Sequence, residues 1–270
     1  GRYDQDVMLS CIDILATDGS NTVAKYSTDG GVTWTLHGQV FATTGVNKTS
    51  IWWDSANSVV YAVGDTGSST RNVYLQKGTV TPSTHTILWA GSDSTVATSS
   101  FNEASKNAFI SRDASGYVWV LGVNRTETTP QSRYDLSAFR STVQNSISSW
   151  AYSGNMLNGD DAVPILPGSI VPAGTGSNVW AVYGYQGNVA SRKFTGTWSA
   201  ETQIYVPASP AGPGGTEYAP PVAVVDGNGV IHVVYGNGHE QSGYAKPFIY
   251  YVYNSGSAWS VPYRLDSVGN

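Results

Sequence analysis

The sequence predicts an all-β protein, a β-propeller of four-stranded antiparallel blades, and three observations favour this fold. Only 12% of the residues are charged, whereas the chain contains 30 Gly, 17 Tyr and 9 Trp. That composition is typical of short strands joined by tight turns. A strand–turn–strand pattern also repeats along the chain, and further hairpins fill the space between its copies.

The repeat consists of an apolar strand, a polar turn and an alternating strand that ends near a glycine. Its copies occupy residues 51–64, 109–122, 170–184 and 224–236. Their second strands carry equivalent residues, 52 to 61 positions apart, at Tyr61, Trp119, Trp180 and His232. A unit of this length has room for two further strands, and four antiparallel strands at such a period are typical of a propeller.

The further hairpins lie at 22–36, 190–199 and 247–261. Together with the repeat they divide one domain, residues 1–270, into five predicted blades at 7–41, 46–91, 97–157, 162–207 and 218–266. The first blade is predicted without an innermost strand. The chain is therefore either a five-bladed propeller with an unusual seam, which we favour, or part of a larger six- or seven-bladed one.

Two segments need separate interpretation. Residues 135–143 fit either a helical face or the third strand of the third blade, and we favour the strand because the blade needs it. Cys11, the only cysteine, excludes an internal disulfide and a cysteine-based zinc site. We interpret Cys11 as a small apolar residue inside a strand at 8–14.

Charge and hydropathy exclude several function classes. The net charge of −5, without a Lys/Arg cluster, gives no electrostatic basis for nucleic-acid binding. No apolar run approaches the ~18 residues of a membrane span. Two sequons, at Asn47 and Asn124, together with the low charge and polar loops, favour a secreted or cell-surface glycoprotein.

The stretch from Ser27 to Trp34, STDGGVTW, carries a family resemblance. It resembles the Asp box, S-x-D-x-G-x-T-W, of sialidase-like propellers with bacterial neuraminidase repeats, and it matches that motif at every defined position: Ser27, Asp29, Gly31, Thr33 and Trp34. The resemblance implies a structural role in the hairpin between the third and fourth strands of a blade. It also implies that ligands bind on the opposite face.

On that opposite face, the resemblance directs attention to the loops that leave second strands and those that join blades. The richest is 235–246, which places His239, Glu240 and Tyr244 near Tyr235. Arg71 and Arg133 lie on two neighbouring loops. The aromatic and acidic side chains that could stack on sugar rings or bind their hydroxyls are Tyr185, Glu217, Tyr218, Tyr235, His239 and Tyr244.

Three kinds of glycan cleavage are open. A sialidase needs an arginine cluster, a tyrosine–glutamate pair and an acid, but no Arg here precedes Ile-Pro as the family requires. A polysaccharide lyase would use His239, Tyr244 or His232 with Arg71 or Arg133, although a structural role for His232 is favoured. A glycosidase needs two facing carboxylates, for which Glu217, Glu240 and Asp160–Asp161 are available.

The sequence thus favours an extracellular propeller that acts as a carbohydrate-binding or protein-interaction module, with a lyase or sialidase-like glycoside hydrolase as the alternative. No cofactor or metal is predicted, apart from a weak calcium loop at 158–161, which we favour as a turn. The expected partners are a glycan or an extracellular protein. Homo-assembly is left open.

Overall fold

A computed structural model of the protein describes the chain in twelve stretches, and the account below concerns these residues. They are 3–6, 11–17, 21–66, 71–84, 86–99, 108–125, 134–158, 165–185, 188–205, 221–237, 248–256 and 258–265. Within them, five antiparallel sheets follow one another along the chain. They correspond in order to the five predicted blades and are called the first to fifth blades.

The strands of the first two blades pair in chain order. The first blade contains Tyr3–Asp6 (β1), Cys11–Thr17 (β2), Thr22–Ser27 (β3) and Thr35–Gln39 (β4). The second contains Val46–Asp54 (β5), Val59–Thr66 (β6), Arg71–Thr81 (β7), Thr86–Trp89 (β8) and Ser94–Ser99 (β9), with a short 3-10 turn at Pro82–Thr84. Both β8 and β9 pair with β7, so they form one fourth strand in two parts.

The remaining blades have four strands each. The third contains Phe109–Arg112 (β10), Val118–Arg125 (β11), Tyr134–Ser141 (β12) and Trp150–Asn158 (β13). The fourth contains Ile165–Pro172 (β14), Val179–Tyr185 (β15), Asn188–Phe194 (β16) and Thr202–Tyr205 (β17). The fifth contains Val222–Val225 (β18), Ile231–Asn237 (β19), Phe248–Asn254 (β20) and Tyr263–Arg264 (β21).

Because consecutive strands are antiparallel, the connections fall on two edges of every blade. The turn edge carries the connections from first to second and from third to fourth strands. The loop edge carries those from second to third strands and from one blade to the next. Of the predicted site residues in the described stretches, Arg71, Tyr185 and Tyr235 lie towards the loop edge.

The hydrophobic core is divided among the junctions between successive blades. In the described part of the chain, four clusters join the first to second, second to third, third to fourth and fourth to fifth blades. The second, third and fourth blades therefore each bury one face on the preceding blade and the other on the following blade, as the period-two alternation of their strands requires. None of these clusters joins the fifth blade to the first.

The strand assignments confirm one prediction and change two others. Tyr134–Ser141 is a strand, as favoured over a helix. The first blade does have an innermost strand, Tyr3–Asp6, which pairs with Cys11–Thr17, so the expectation that it lacked one was wrong. Its sequence, YDQD, has no apolar alternation to reveal it. The strand expected at 8–14 begins at Cys11, and residues 7–10 lie outside the described part.

No helix in the described stretches has the length and apolar character needed to cross a membrane.

The core strands are short, and most carry apolar side chains on both faces because both faces lie in junctions. Placing any functional side chain therefore depends on which junction, and which edge, its strand presents it to.

Candidate functional site

The stretch that resembles an Asp box lies in the hairpin between β3 and β4, the third and fourth strands of the first blade. The Asp29 carboxylate accepts hydrogen bonds from the Thr33 hydroxyl at 2.6 Å and from the Thr33 backbone N–H at 2.9 Å. Ser27 accepts from the Gly31 N–H. The Thr33 hydroxyl, the backbone and Ser27 together lower the pKa of Asp29 to about 2.

These bonds close the turn on itself, with Gly30 and Gly31 at φ angles of 72° and 92°, in the region that favours glycine. Asp29 is therefore occupied in shaping the turn, on the turn edge, as the resemblance implies. This geometry gives it no reacting partner.

Most predicted site residues lie outside the described residues, namely Arg133, Glu217, Tyr218, His239, Glu240, Tyr244 and the Asp160–Asp161 turn. Arg71 begins β7 and Tyr185 ends β15, both at the loop edge, but only their backbones are described. The same holds for the sequon residues Asn47 and Asn124.

Tyr235 requires a correction. It is 2% exposed, belongs to the core between the fourth and fifth blades and stacks on Tyr250 with ring centres 5.6 Å apart. A side chain enclosed by two blades cannot present its ring to a sugar. The sequence could not reveal this, because alternation indicates that Tyr235 faces a junction but not that the junction is closed there.

His232 contacts the turn that precedes it and a neighbouring strand through both of its ring nitrogens. Asp226 forms the turn before it by accepting from the N–H groups of Asn228 and Val230, and these bonds, with Val230 the largest contributor, lower the pKa of Asp226. His232 Nε2 lies 3.3 Å from the Asp226 carboxylate, and its Nδ1 lies 2.6 Å from the Tyr251 hydroxyl. A neutral ring then donates from Nε2 and accepts at Nδ1.

The third blade has an equivalent contact between a ring and a turn aspartate, but the ring is an indole. Trp119, at the position equivalent to His232, donates its indole N–H to Asp113 at 2.8 Å, and Asp113 also accepts from the Tyr117 N–H. The imidazole of His232 therefore replaces an indole as the donor to a turn aspartate. This supports the structural interpretation of His232 over a role as a base.

Two buried aspartates face the junction between the second and third blades near its loop edge. Tyr61 and Val63 belong to its core, so by alternation Asp65 on the same strand points into it. Leu136 and Ala138 belong to the next junction, so Asp135 points back towards the second blade. Asp65 is 1% exposed and Asp135 is 4% exposed.

Polar side chains continue from Asp135 along the outer strands of the third blade. The Ser137 hydroxyl donates to Asn155 Oδ1 at 2.8 Å, and the Tyr152 hydroxyl donates to the same oxygen at 2.6 Å. Burial and then the Asp135 carboxylate raise the pKa of Tyr152. Tyr152 nevertheless remains 55% exposed. We call Asp65, Asp135, Ser137, Tyr152 and Asn155 the second-junction cluster.

The second-junction cluster combines an exposed aromatic ring with amide, hydroxyl and carboxylate groups. Such a set can stack on the apolar face of a sugar while hydrogen-bonding its hydroxyls. Arg71 and Arg133 adjoin it in the chain, since Arg71 begins the strand that pairs with Asp65 and Arg133 precedes Asp135 by two residues. The sequence did contain one signal for this cluster, which is the aspartate in the otherwise apolar strand VVYAVGDT. Burying a charged side chain among apolar ones is costly unless the charge is paired or has a function.

A tyrosine–glutamate pair with an arginine also occurs in the fourth blade. Tyr183 donates to Glu201 at 2.8 Å and accepts from Arg192 at 3.3 Å. Tyr183 is fully buried, however, and burial strongly raises the pKa of its hydroxyl. A phenol held neutral inside the third-to-fourth junction is not an accessible nucleophile, so this trio is structural.

Comparisons with solved structures fit this arrangement of blades. The GH93 α-L-arabinofuranosidase of Fusarium graminearum, solved with arabinobiose, has a TM-score of 0.53 at 10% identity, over 82% of this chain and 66% of that one. A fungal lectin from Aleuria aurantia, described as a six-bladed β-propeller that recognises fucose, has a TM-score of 0.53 at 14% identity, over 94% and 73%. The fold is a β-propeller.

The sialidase of Trypanosoma rangeli, solved with the inhibitor DANA, gives a TM-score of 0.54 at 11% identity, over 91% of this chain. The chain spans about two thirds of the arabinofuranosidase and 45% of the sialidase. No protein-family description and no curated protein matches the sequence. At these low sequence identities the similarity shows the propeller fold alone.

Proposed function

We propose that this propeller is a glycan-binding module and that the second-junction cluster contributes to its sugar site. The cluster supports the proposal because it is an exposed tyrosine backed by hydrogen-bonding side chains in a chain with few charges. Similar propellers were solved with arabinobiose, a fucoside and a sialidase inhibitor. The fold is therefore one on which carbohydrate ligands are found.

The decisive observation is the hydrogen-bonded chain from Ser137 and Tyr152 to Asn155. It fixes the orientation of an exposed ring before any ligand arrives, so little side-chain freedom is lost on binding. Asp65 and Asp135 are buried near the loop edge, where β7 begins at Arg71. Protein interaction through the same surface would not require this pairing of a ring with polar groups.

Calorimetric titration with arabinobiose, α-methyl-L-fucoside and DANA, together with a glycan array, tests the proposal. We expect Tyr152→Ala and Asn155→Ala each to weaken binding by about tenfold or more, the effect of about 1.4 kcal/mol. Tyr263→Ala, which removes an equally exposed tyrosine from the fifth blade, should bind as the unaltered protein does. An absence of binding on the whole array, or equal affinity in Tyr152→Ala, would refute the site.

Glycoside hydrolysis is the second candidate, and the two aspartates of one junction favour it. Inverting and retaining glycosidases both use a pair of carboxyl groups, one as acid and the other as base or nucleophile. Asp65 and Asp135, which are 1% and 4% exposed, could hold these roles only if the loop edge of the junction opens to admit the substrate. We expect nitrophenyl arabinofuranoside or fucoside turnover, if hydrolysis is the function, to fall at least a hundredfold in either Asp65→Asn or Asp135→Asn.

Sugar binding without turnover on these substrates and on a uronate polysaccharide would eliminate hydrolysis and lyase chemistry while leaving the module intact. Turnover that survives in both asparagine variants would place the chemistry elsewhere, for example on the His239 and Tyr244 loop. Thermal unfolding of each variant controls for damage to the junction.

We also propose that the protein is exported and glycosylated at Asn47 and Asn124. The sequons and the glycan-associated fold support this. Expression through a eukaryotic secretory pathway, followed by enzymatic removal of N-glycans, should reduce its apparent mass; Asn47→Gln with Asn124→Gln should abolish that change. An unchanged mass of the secreted protein would argue against glycosylation.

A further inference from the structure

Every blade from the second to the fourth has a face that is closed by the blade after it. On the second strand of each, one aliphatic side chain marks the centre of this face: Val63, Leu121 and Val182. All three are 0% exposed. The aromatic residue two positions earlier, Tyr61, Trp119 or Trp180, lies beside it.

A tryptophan from the following blade covers each aromatic residue. Trp198 packs on Trp119 with ring centres 5.9 Å apart, and Trp259 packs on Trp180 at 5.8 Å. Trp150 packs against the core that contains Tyr61. Each of these indoles donates its N–H back to the preceding blade, to Ser94 Oγ, the Ser153 carbonyl or Ser191 Oγ, at 3.0 to 3.2 Å.

The fifth blade carries the same face, and within the described residues no following blade covers it. His232 and Val234 occupy the positions of Trp180 and Val182, but Val234 is 39% exposed and Val224 beside it is 56% exposed. Tyr253 stacks on Tyr251, which stacks on His232. We define the fifth-blade flank as Val222, Val224, His232, Val234, Tyr251, Tyr253 and Tyr263.

The fifth-blade flank is apolar and almost free of charge. Its valines and tyrosines lie on one sheet face, by alternation opposite to Ala223, Val233 and Tyr250, which pack on the fourth blade. His232 is tied to Asp226 at the turn edge. An exposed patch of this kind on a soluble protein marks an interaction surface.

We propose that the fifth-blade flank packs on the same flank of a second copy of the chain, around a twofold axis. A twofold contact places a surface against itself, so the surface must be self-complementary. The flank meets that requirement because two uncharged faces do not repel one another. Its valines lie on β18 and β19 and its tyrosines on β20 and β21, so a twofold axis parallel to the strands sets the valines of one copy against the tyrosines of the other.

Homo-assembly of this kind is independent of glycan binding, since the second-junction cluster lies in another blade. The flank spans four strands at about 4.8 Å spacing and roughly seven residues at about 3.4 Å each, or on the order of 450 Å² of flat surface. This is smaller than the roughly 800 Å² that each partner buries in a standard interface. We therefore expect a concentration-dependent dimer with a dissociation constant in the micromolar range.

Sedimentation velocity of the full chain from about 1 to 200 µM tests the proposal, a range that brackets micromolar affinity. The unaltered protein should shift from monomer to dimer, and Val224→Lys or Val234→Lys should remain monomeric at every concentration. Leu88→Lys, at a residue of the second blade that is 76% exposed, should dimerise as the unaltered protein does. Thermal unfolding should show all three variants to be folded, because each altered side chain is exposed.

A monomer at all concentrations would overturn the proposal, and so would a dimer that both flank variants retain. Assembly that continues beyond the dimer would also overturn it, since it would require a head-to-tail contact rather than a twofold one. Glycan binding measured on the same samples separates this result from the fate of the proposed function.

Discussion

The hydrogen bond from Trp119 to Asp113 makes a specific contribution to stability that one substitution can isolate. Trp119 is fully buried and its indole N–H lies 2.8 Å from a carboxylate that is itself 1% exposed. Trp119→Phe keeps an aromatic ring against Phe194 and Trp198 but removes the donor. Asp113 would keep the Tyr117 N–H as a partner and lose the indole.

The expected loss has two parts. Removing a hydrogen bond to a buried charged group costs about 1.5–3 kcal/mol, and the smaller ring adds roughly 1 kcal/mol for the space it leaves. Trp180→Phe is the matched control, because Ala173 in the fourth blade occupies the place of Asp113 and offers Trp180 no carboxylate. We expect Trp119→Phe to lower the free energy of unfolding by about 2 kcal/mol more than Trp180→Phe does.

Urea and thermal unfolding measure this difference. For a chain of 270 residues, an unfolding entropy of about 2.1 cal/mol/K per residue converts 2 kcal/mol into roughly 3–4 °C in the melting temperature. A double-mutant cycle with Asp113→Ala should give a coupling free energy of at least about 1 kcal/mol. A coupling free energy below about 0.5 kcal/mol would show that the hydrogen bond contributes nothing to stability. The hydrogen bonds between these rings and the turn aspartates would then have no stabilising role.

Two further perturbations concern backbone and turn chemistry. Gly168→Ala should destabilise the fourth blade by about 3 kcal/mol in urea unfolding, because the added Cβ would lie 2.1 Å from the Val182 carbonyl oxygen. The control, Gly227→Ala, has open space around the added Cβ and should change the stability little. Equal effects of the two substitutions would contradict this prediction. Asp29→Asn should lower the melting temperature at pH 6, and the difference from the unaltered protein should shrink as the pH falls from about 4 towards 2. The pKa of Asp29 falls from 3.8 to about 2 on folding, so the stability that its carboxylate contributes is lost when the carboxylate is protonated. A difference that is constant with pH would contradict the role of the carboxylate.

The fold could be predicted from sequence because its signals are local. The hairpin around Asp29 is specified by residues that bond to one another within five positions, and the strands around Tyr61 and Trp119 alternate with period two. Strand Tyr3–Asp6 was missed because its residues are polar and its pairing with Cys11–Thr17 is the only evidence for it. The fourth strand of the second blade is split into β8 and β9, and between them Asp93 accepts a hydrogen bond from Gln76 of β7 at 2.7 Å. No pattern within β8 or β9 indicates this break.

The site was harder to predict because it is built across blades. Asp65 and Asp135 are 70 positions apart, and only the facing of β6 and β12 brings them to one junction. Sequence reasoning therefore selected conspicuous loop residues such as His239 and Tyr244, and it took Tyr235 for a surface residue. Whether an aromatic residue in a propeller is exposed depends on the neighbouring blade, and that information is not in its own strand.

His232 shows how strongly a covering blade determines the chemistry of one position. In the third blade an indole at this position is enclosed, and it can only donate a hydrogen bond. In the fifth blade an imidazole makes the equivalent bond to Asp226, and its second nitrogen meets Tyr251 at a face that solvent reaches. If the flank dimerises, His232 becomes as enclosed as Trp119 and its role is structural. The flank substitutions that keep the protein monomeric would then leave glycan binding unchanged, and His232 would have no part in it.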